Sequence, residues 1–169
     1  MLSSLFPHLT TSLLAKISTA IVFAAFHANP QGNTAPLTIS STEAVIDEGM
    51  QTTTYLGDVR ISQNGFYMSG ESLVVFFNDD RASKILMKGN PAVFESQTNV
   101  IKKENINIEA DTITYQTKSQ LLEFSGSVKL RRLQNVLKSD ALQYNLSSKK
   151  IIASSKDKLS PVRLIMTSE

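Results

Sequence analysis

The chain of 169 residues has no cysteine and no tryptophan, and its two histidines, His8 and His27, both stand near the start. Without thiols there are no disulfide staples, no cysteine nucleophile and no zinc site built on sulfur. If the first 28 residues are removed, no imidazole remains either. That excludes Ser-His-Asp chemistry and leaves an enzyme only carboxylate, lysine, tyrosine or oxygen-ligand reactions. An excess of one charge is missing as well. Seventeen basic and fifteen acidic residues give a net charge of +2, too balanced to hold nucleic acid through bulk electrostatics. No Walker-type Gly-rich loop closing on Lys-Ser or Lys-Thr is present, so the chain is not expected to draw power from a nucleotide itself.

Long apolar runs are also lacking, with one exception at the start. Lys16 precedes an uncharged stretch over 17–28, rich in Ala, Val and Phe, and Asn29-Pro30-Gln31-Gly32 ends it. The layout is that of a secretory signal peptide, expected over 1–28, with a polar linker over 29–36. The run is shorter than the roughly 20 residues a spanning helix needs, although counting back through Leu13 and Leu14 leaves an uncleaved anchor open. Phe26 fits poorly three positions before the end of a signal, so the cleaved bond is not fixed by the pattern.

From Leu37 onward the pattern has period two instead of 3.6. Val59 and Ile61 flank Arg60, Ile106 and Ile108 flank Asn107, Ile113 and Tyr115 flank Thr114, Val128 and Leu130 flank Lys129, and Leu142 and Tyr144 flank Gln143. Each run places apolar groups on one face of a strand. Turn chemistry separates them at Gln63-Asn64-Gly65, Asn78-Asp79-Asp80, Gly89-Asn90-Pro91, Thr117-Lys118-Ser119 and Ser147-Ser148-Lys149. The spacing predicts strands of about four to seven residues, a second polar linker near 154–158, and a last strand over 162–166. A single all-β domain over 37–169 follows.

Two motifs alternate along this domain. A small residue, an acid, a small residue and an aliphatic recur at Thr42-Glu43-Ala44-Val45, Gly70-Glu71-Ser72-Leu73, Ala110-Asp111-Thr112-Ile113 and Ser139-Asp140-Ala141-Leu142. Between them a glycine opens a strand at Gly57-Asp58-Val59, Gly89-Asn90-Pro91 and Gly126-Ser127-Val128. Strand pairs of this kind cannot bury an apolar face alone, and stacking them makes one continuous core.

Extended to Asp111-Thr112-Ile113-Thr114-Tyr115, the acidic motif resembles the OstA-like repeat of the LptA family, the periplasmic bridge proteins of lipopolysaccharide transport. The likeness also covers Leu37-Thr38-Ile39-Ser40-Ser41, Tyr55-Leu56-Gly57-Asp58-Val59-Arg60-Ile61, Gly89-Asn90-Pro91-Ala92-Val93-Phe94, and 110–144. Departures are Phe76, three residues past Leu73, and the Arg131-Arg132 pair, which interrupts the strand beginning at Gly126.

The resemblance implies an open, twisted β-jellyroll of two antiparallel sheets whose apolar trough shields the acyl chains of lipid A. The expected lining is Leu37, Ile39, Val59, Ile61, Phe94, Ile113, Tyr115, Phe124, Val128, Leu130 and Tyr144. Periodicity alone reads the same residues as plain core. The resemblance further implies no catalysis, no cofactor and no metal. It implies an anchored inner-membrane partner at the N-terminal edge near 37–40. An outer-membrane translocon or another copy, head to tail, would take the C-terminal edge near 162–166.

Lys102, Lys103, Lys129, Arg131, Lys149 and Lys150 are candidates for meeting lipid A phosphates, or else a solvated face. Asp47-Glu48 and Asp79-Asp80 read as turn residues, since neighbours in a strand point oppositely and neither pair has calcium-loop spacing. Two rivals remain. One is the membrane-anchored partner of the same family. The other is a periplasmic glycan-binding β protein, against which stand only 8 Phe, 4 Tyr and no Trp.

Overall fold

The computed structural model describes residues 37–63, 65–99, 104–156 and 160–166, so the expected signal peptide and first linker lie outside the described residues. Ten strands follow one another: β1 (Thr38–Ser40), β2 (Glu43–Asp47), β3 (Thr52–Gln63), β4 (Phe66–Asn78), β5 (Arg81–Asn99), β6 (Glu104–Gln116), β7 (Leu121–Arg132), β8 (Asn135–Asn145), β9 (Ile151–Ser154) and β10 (Arg163–Ile165). All pairings are antiparallel and each long strand pairs with the next, from β3 to β8. At one edge β1 and β2 lie end to end along β3. At the other, β9 and β10 lie end to end along β8.

The six long strands run 11 to 19 residues, not four to seven. The shorter expectation failed because mid-strand irregularities carry turn chemistry. Register shifts fall between Leu56 and Val59, Ser69 and Ser72, Lys88 and Ala92, Glu109 and Thr112, and Ser125 and Val128. These bulges line up across the sheet. Gly57-Asp58, Gly89-Asn90-Pro91 and Gly126-Ser127, expected to open or separate strands, instead sit inside β3, β5 and β7. Gly57 and Asp58 have φ of 74° and 46°, and Gly126 and Ser127 have 79° and 48°. Successive left-handed residues bend a strand and leave the extra residues unpaired.

The alternating motifs therefore mark one crease. It folds a single hydrogen-bonded sheet into two leaves, which are the two antiparallel sheets expected of the jellyroll. The first leaf holds β1, residues 59–63, 66–69, 92–99, 104–109, 128–132 and 135–139, and β10. The second holds β2, residues 52–56, 72–78, 81–88, 112–116, 121–125 and 141–145, and β9.

Aromatic contacts show that the leaves face each other. Phe94 on the first leaf and Tyr144 on the second are three strands apart in the sheet, about 14 Å along a flat one. Their ring centroids are 6.5 Å apart, and Phe94 also meets Phe124 of the second leaf edge-on at 5.7 Å. Only a sheet folded over itself brings these rings together.

Other expectations meet the strands as follows. Of Asn78-Asp79-Asp80, the first ends β4 and the two acids make the turn, with φ of 49° and 59°. Asp47 accepts a hydrogen bond from the Met50 amide at 2.8 Å within the turn after β2. The region read as a linker near 154 begins inside β9, whose Ile151 and Ala153 continue the inner face opposite Tyr144 and Leu142. Arg131 and Arg132 do not interrupt β7, which runs through both. Phe76 points outward, with the Lys84 ammonium 3.9 Å over its ring, and Val75 takes the buried place expected for an aromatic.

Candidate apolar site between the leaves

Alternation sends one side of every long strand into the space between the leaves. At the crease the period slips by one, so that Ile106, Ile108 and Ala110 on β6 give way to Ile113 and Tyr115 on the same inner face. The same slip joins Met68 to Leu73 on β4, and Met87 to Ala92 on β5. Twenty-one buried apolar residues among those described form one cluster. Phe94 lies at its centre, 5.3 Å from Phe66 as well as against Phe124 and Tyr144.

Of the eleven residues expected to line a trough, Val59, Ile61, Phe94, Ile113, Tyr115, Phe124, Val128, Leu130 and Tyr144 belong to this cluster, none more than 7% exposed. Their side chains fill the space between the leaves. Leu37 and Ile39 are partly buried and pack against the cluster from the N-terminal edge. The accessible apolar surface therefore lies at the margins, and most of it was not anticipated: Tyr55 beside β2, Leu137 and Ile151 at the C-terminal edge, and Phe66, Phe77 and Leu146 near the hairpin tips. Strand alternation could have assigned these residues to the inner face. Whether a given residue lies at the centre or at the rim depends on strand order, which periodicity does not contain.

Among the described side chains the inner face is almost free of charge. Arg132 continues the inward series after Val128 and Leu130 at the tip of the first leaf, and its guanidinium acts across the mouth on Tyr144 of the second. Burial pushes the Tyr144 hydroxyl above its ordinary pKa, and this cation tempers the rise. Burial likewise raises Tyr115 and Tyr55. Thr53 is the one buried polar side chain among the described residues, and no buried side-chain nitrogen or oxygen among them lacks a partner.

On the outer faces, Arg131 pairs with Glu109 and donates to Asn107, which donates in turn to Glu95. Lys129 is half-buried on the same face, and Lys149 and Lys150 are exposed beyond β8. Lys102 and Lys103 lie outside the described residues. An outer depression of about 410 Å³ sits over Ser125, Ala141 and Ser154, flanked by Glu123, Gln143 and Ile152. It arises where small side chains stand in register on three strands, and it faces away from the apolar cluster. The described residues offer no group of three His, Cys, Asp or Glu able to hold a metal ion, and no helix long and apolar enough to cross a membrane.

The edge strands are short and leave apolar side chains in solvent. β2 exposes Val45 and Ile46 by 48% and 56%, and every residue of β10 is exposed, Leu164 by 57%. Most proteins blunt such strands with charge, proline or a covering element, because a free edge accepts another strand.

The described residues thus form a folded antiparallel meander with an apolar interior and a short strand pair at each edge. Comparison makes this class of fold specific. Residues 38–150 match the family model of the LptA/(LptD N-terminal domain) LPS transport proteins, and the chain belongs to that family. No curated protein matches the chain. The structure resembles that of LptH from Pseudomonas aeruginosa, described as the LptA homologous periplasmic component of the conserved lipopolysaccharide transport device. The TM-score is 0.71 at 15% identity, over 79% of this chain and 96% of that one.

Proposed function

We propose that the protein is a periplasmic carrier that binds lipopolysaccharide and shields its lipid A acyl chains between the inner and outer membranes. The observation that carries this reading is the single apolar cluster that runs from the Ile39 edge to the Leu137 and Ile151 edge, with Arg132 the inward charge at the mouth among the described side chains. Each exposed methylene costs about 0.8 kcal/mol in water, so a chain of a dozen needs about 10 kcal/mol of shelter. A cluster of Ile, Leu, Phe and Met offers that shelter at little net cost, since an acyl chain replaces side-chain contacts with contacts of the same kind. Entry begins at the half-exposed margin residues and proceeds as the leaves part about the crease. The eleven lining residues named above then become the walls of the path.

Continuity between the membranes comes from the edges. The β1–β2 edge accepts an anchored inner-membrane partner, and the β9–β10 edge accepts the outer-membrane translocon or a further copy. The protein contributes no energy of its own, and cargo moves forward as more is loaded behind it.

A photo-crosslinking residue placed at Phe94 or Tyr115 in cells tests the path. Capture of lipopolysaccharide there, and not at the outward Thr114, is the expected result. Equal labelling at all three positions refutes an interior route. Intact mass of the protein from cell fractions tests the location, and an inner-membrane species starting at Met1 would replace the free carrier with an anchored one.

A further inference from the structure

On the outer face of the first leaf, the residue row nearest the crease begins with Ser40 and Arg60 and ends with Glu109, Lys129, Lys138 and Arg163. Lys129, Lys138 and Arg163 are directly opposed on β7, β8 and β10. Opposed residues hold their Cβ atoms about 5 Å apart, where like charges repel. Glu109 heads the run, but its carboxylate is engaged by Arg131 of the neighbouring row. None of the three cations forms an ion pair with a described residue. Evenly spaced repulsion of this kind ends at a free edge, with Arg163 on the last strand.

A strand added to β10 extends both faces at once. One of its residues falls opposite Arg163 on the outer side, and the next falls opposite Leu164, which stands beside Leu137 on the inner side. A second copy answers this poorly. Its first-leaf edge is β1, whose Thr38, Ile39 and Ser40 carry no charge, and the residue behind Ser40 in the row is the cation Arg60. The acids on either side of that crease, Glu43 on the other leaf and Asp58 in the bulge of β3, are not on β1.

We propose that β10 is a docking strand for an extended partner segment that alternates carboxylates outward with apolar side chains inward, and that Lys129, Lys138 and Arg163 select this segment over a second copy. The inference rests on the edge docking in the proposed function, and it specifies the chemistry of the partner.

The test uses the full chain and three labelled strand peptides with identical inward Leu and Val and with Asp, Ser or Lys at every outward position. The Asp peptide should bind about tenfold more tightly than the Ser peptide at low salt, with the advantage shrinking at 0.5 M salt as screening grows. The double variant Lys138→Glu, Arg163→Glu should reverse the order and prefer the Lys peptide, a gain that a misfolded variant cannot show. Equal binding of the three peptides, or an unchanged order in the double variant, overturns the proposal. So does a double variant that loses lipopolysaccharide capture at Phe94 while its peptide preference stays as before, because the row would then serve an anionic cargo headgroup. Failure of the unaltered protein to capture lipopolysaccharide at Phe94 would instead defeat the carrier reading and leave the peptide result standing.

Discussion

Replacing Gly126 with alanine probes the crease directly. Its φ of +79° lies in the left-handed region, where a side chain costs about 1–2 kcal/mol. An added Cβ would stand 2.1 Å from Asp111 Oδ2, 2.6 Å from its Cγ and 2.9 Å from its Cβ. Asp111 must then leave its position, at an off-rotamer cost of about 0.5–1.5 kcal/mol. Gly126→Ala should therefore destabilise the fold by about 1.5–3.5 kcal/mol, a large share of the roughly 5–15 kcal/mol that a domain possesses. Urea unfolding followed by far-UV circular dichroism reads this, with tyrosine fluorescence as the second probe. The two contributions separate in a double-mutant cycle. In an Asp111→Gly background the steric part vanishes and Gly126→Ala should cost only about 1–2 kcal/mol. An equal cost in both backgrounds, or a total below about 0.5 kcal/mol, would refute the idea that the acid of one strand packs over the left-handed glycine of the next.

Phe94→Ala should cost about 3–5 kcal/mol in the same assay and Phe94→Leu under about 1.5, because the ring joins the leaves and a leucine keeps most of its volume. Alkaline stability should fall as well. Tyr55, Tyr115 and Tyr144 have folded pKa values raised above the ordinary 10.0, so the stability they contribute is complete below that value and is lost as pH climbs past it. A Tyr115→Phe, Tyr144→Phe variant should show a shallower decline above pH 10.0 in a pH series of urea midpoints. Arg131→Gln, by contrast, should cost at most about 1 kcal/mol and nothing at 1 M salt, since its pair with Glu109 is substantially solvated.

The all-β character was legible because Val59 and Ile61, Ile113 and Tyr115, and Val128 and Leu130 alternate with polar neighbours, and a period of two admits no helix. The 42–45 and 110–113 motifs and the glycines at 57 and 126 were visible too, and all lie within the residues that match the family model. Their mechanical meaning was not. Gly89-Asn90-Pro91 has the composition of a turn, and only pairing on both flanks, Lys88 with Thr112 and Ala92 with Ala110, shows it to be a bulge inside one strand.

The candidate site divides in the same way. Sequence alone decides which residues face inward, because side-chain direction along a strand is a local property. It also decides that no imidazole or thiol is available to the domain over 37–169. Tertiary structure alone decides that Phe94 meets Tyr144 across three strands, that Leu137 and Ile151 stand at the rim, and that Lys129, Lys138 and Arg163 fall in one row. Those relations depend on register between distant segments, and register is set when bulges and cross-strand partners are satisfied together, not by any stretch of chain acting on its own.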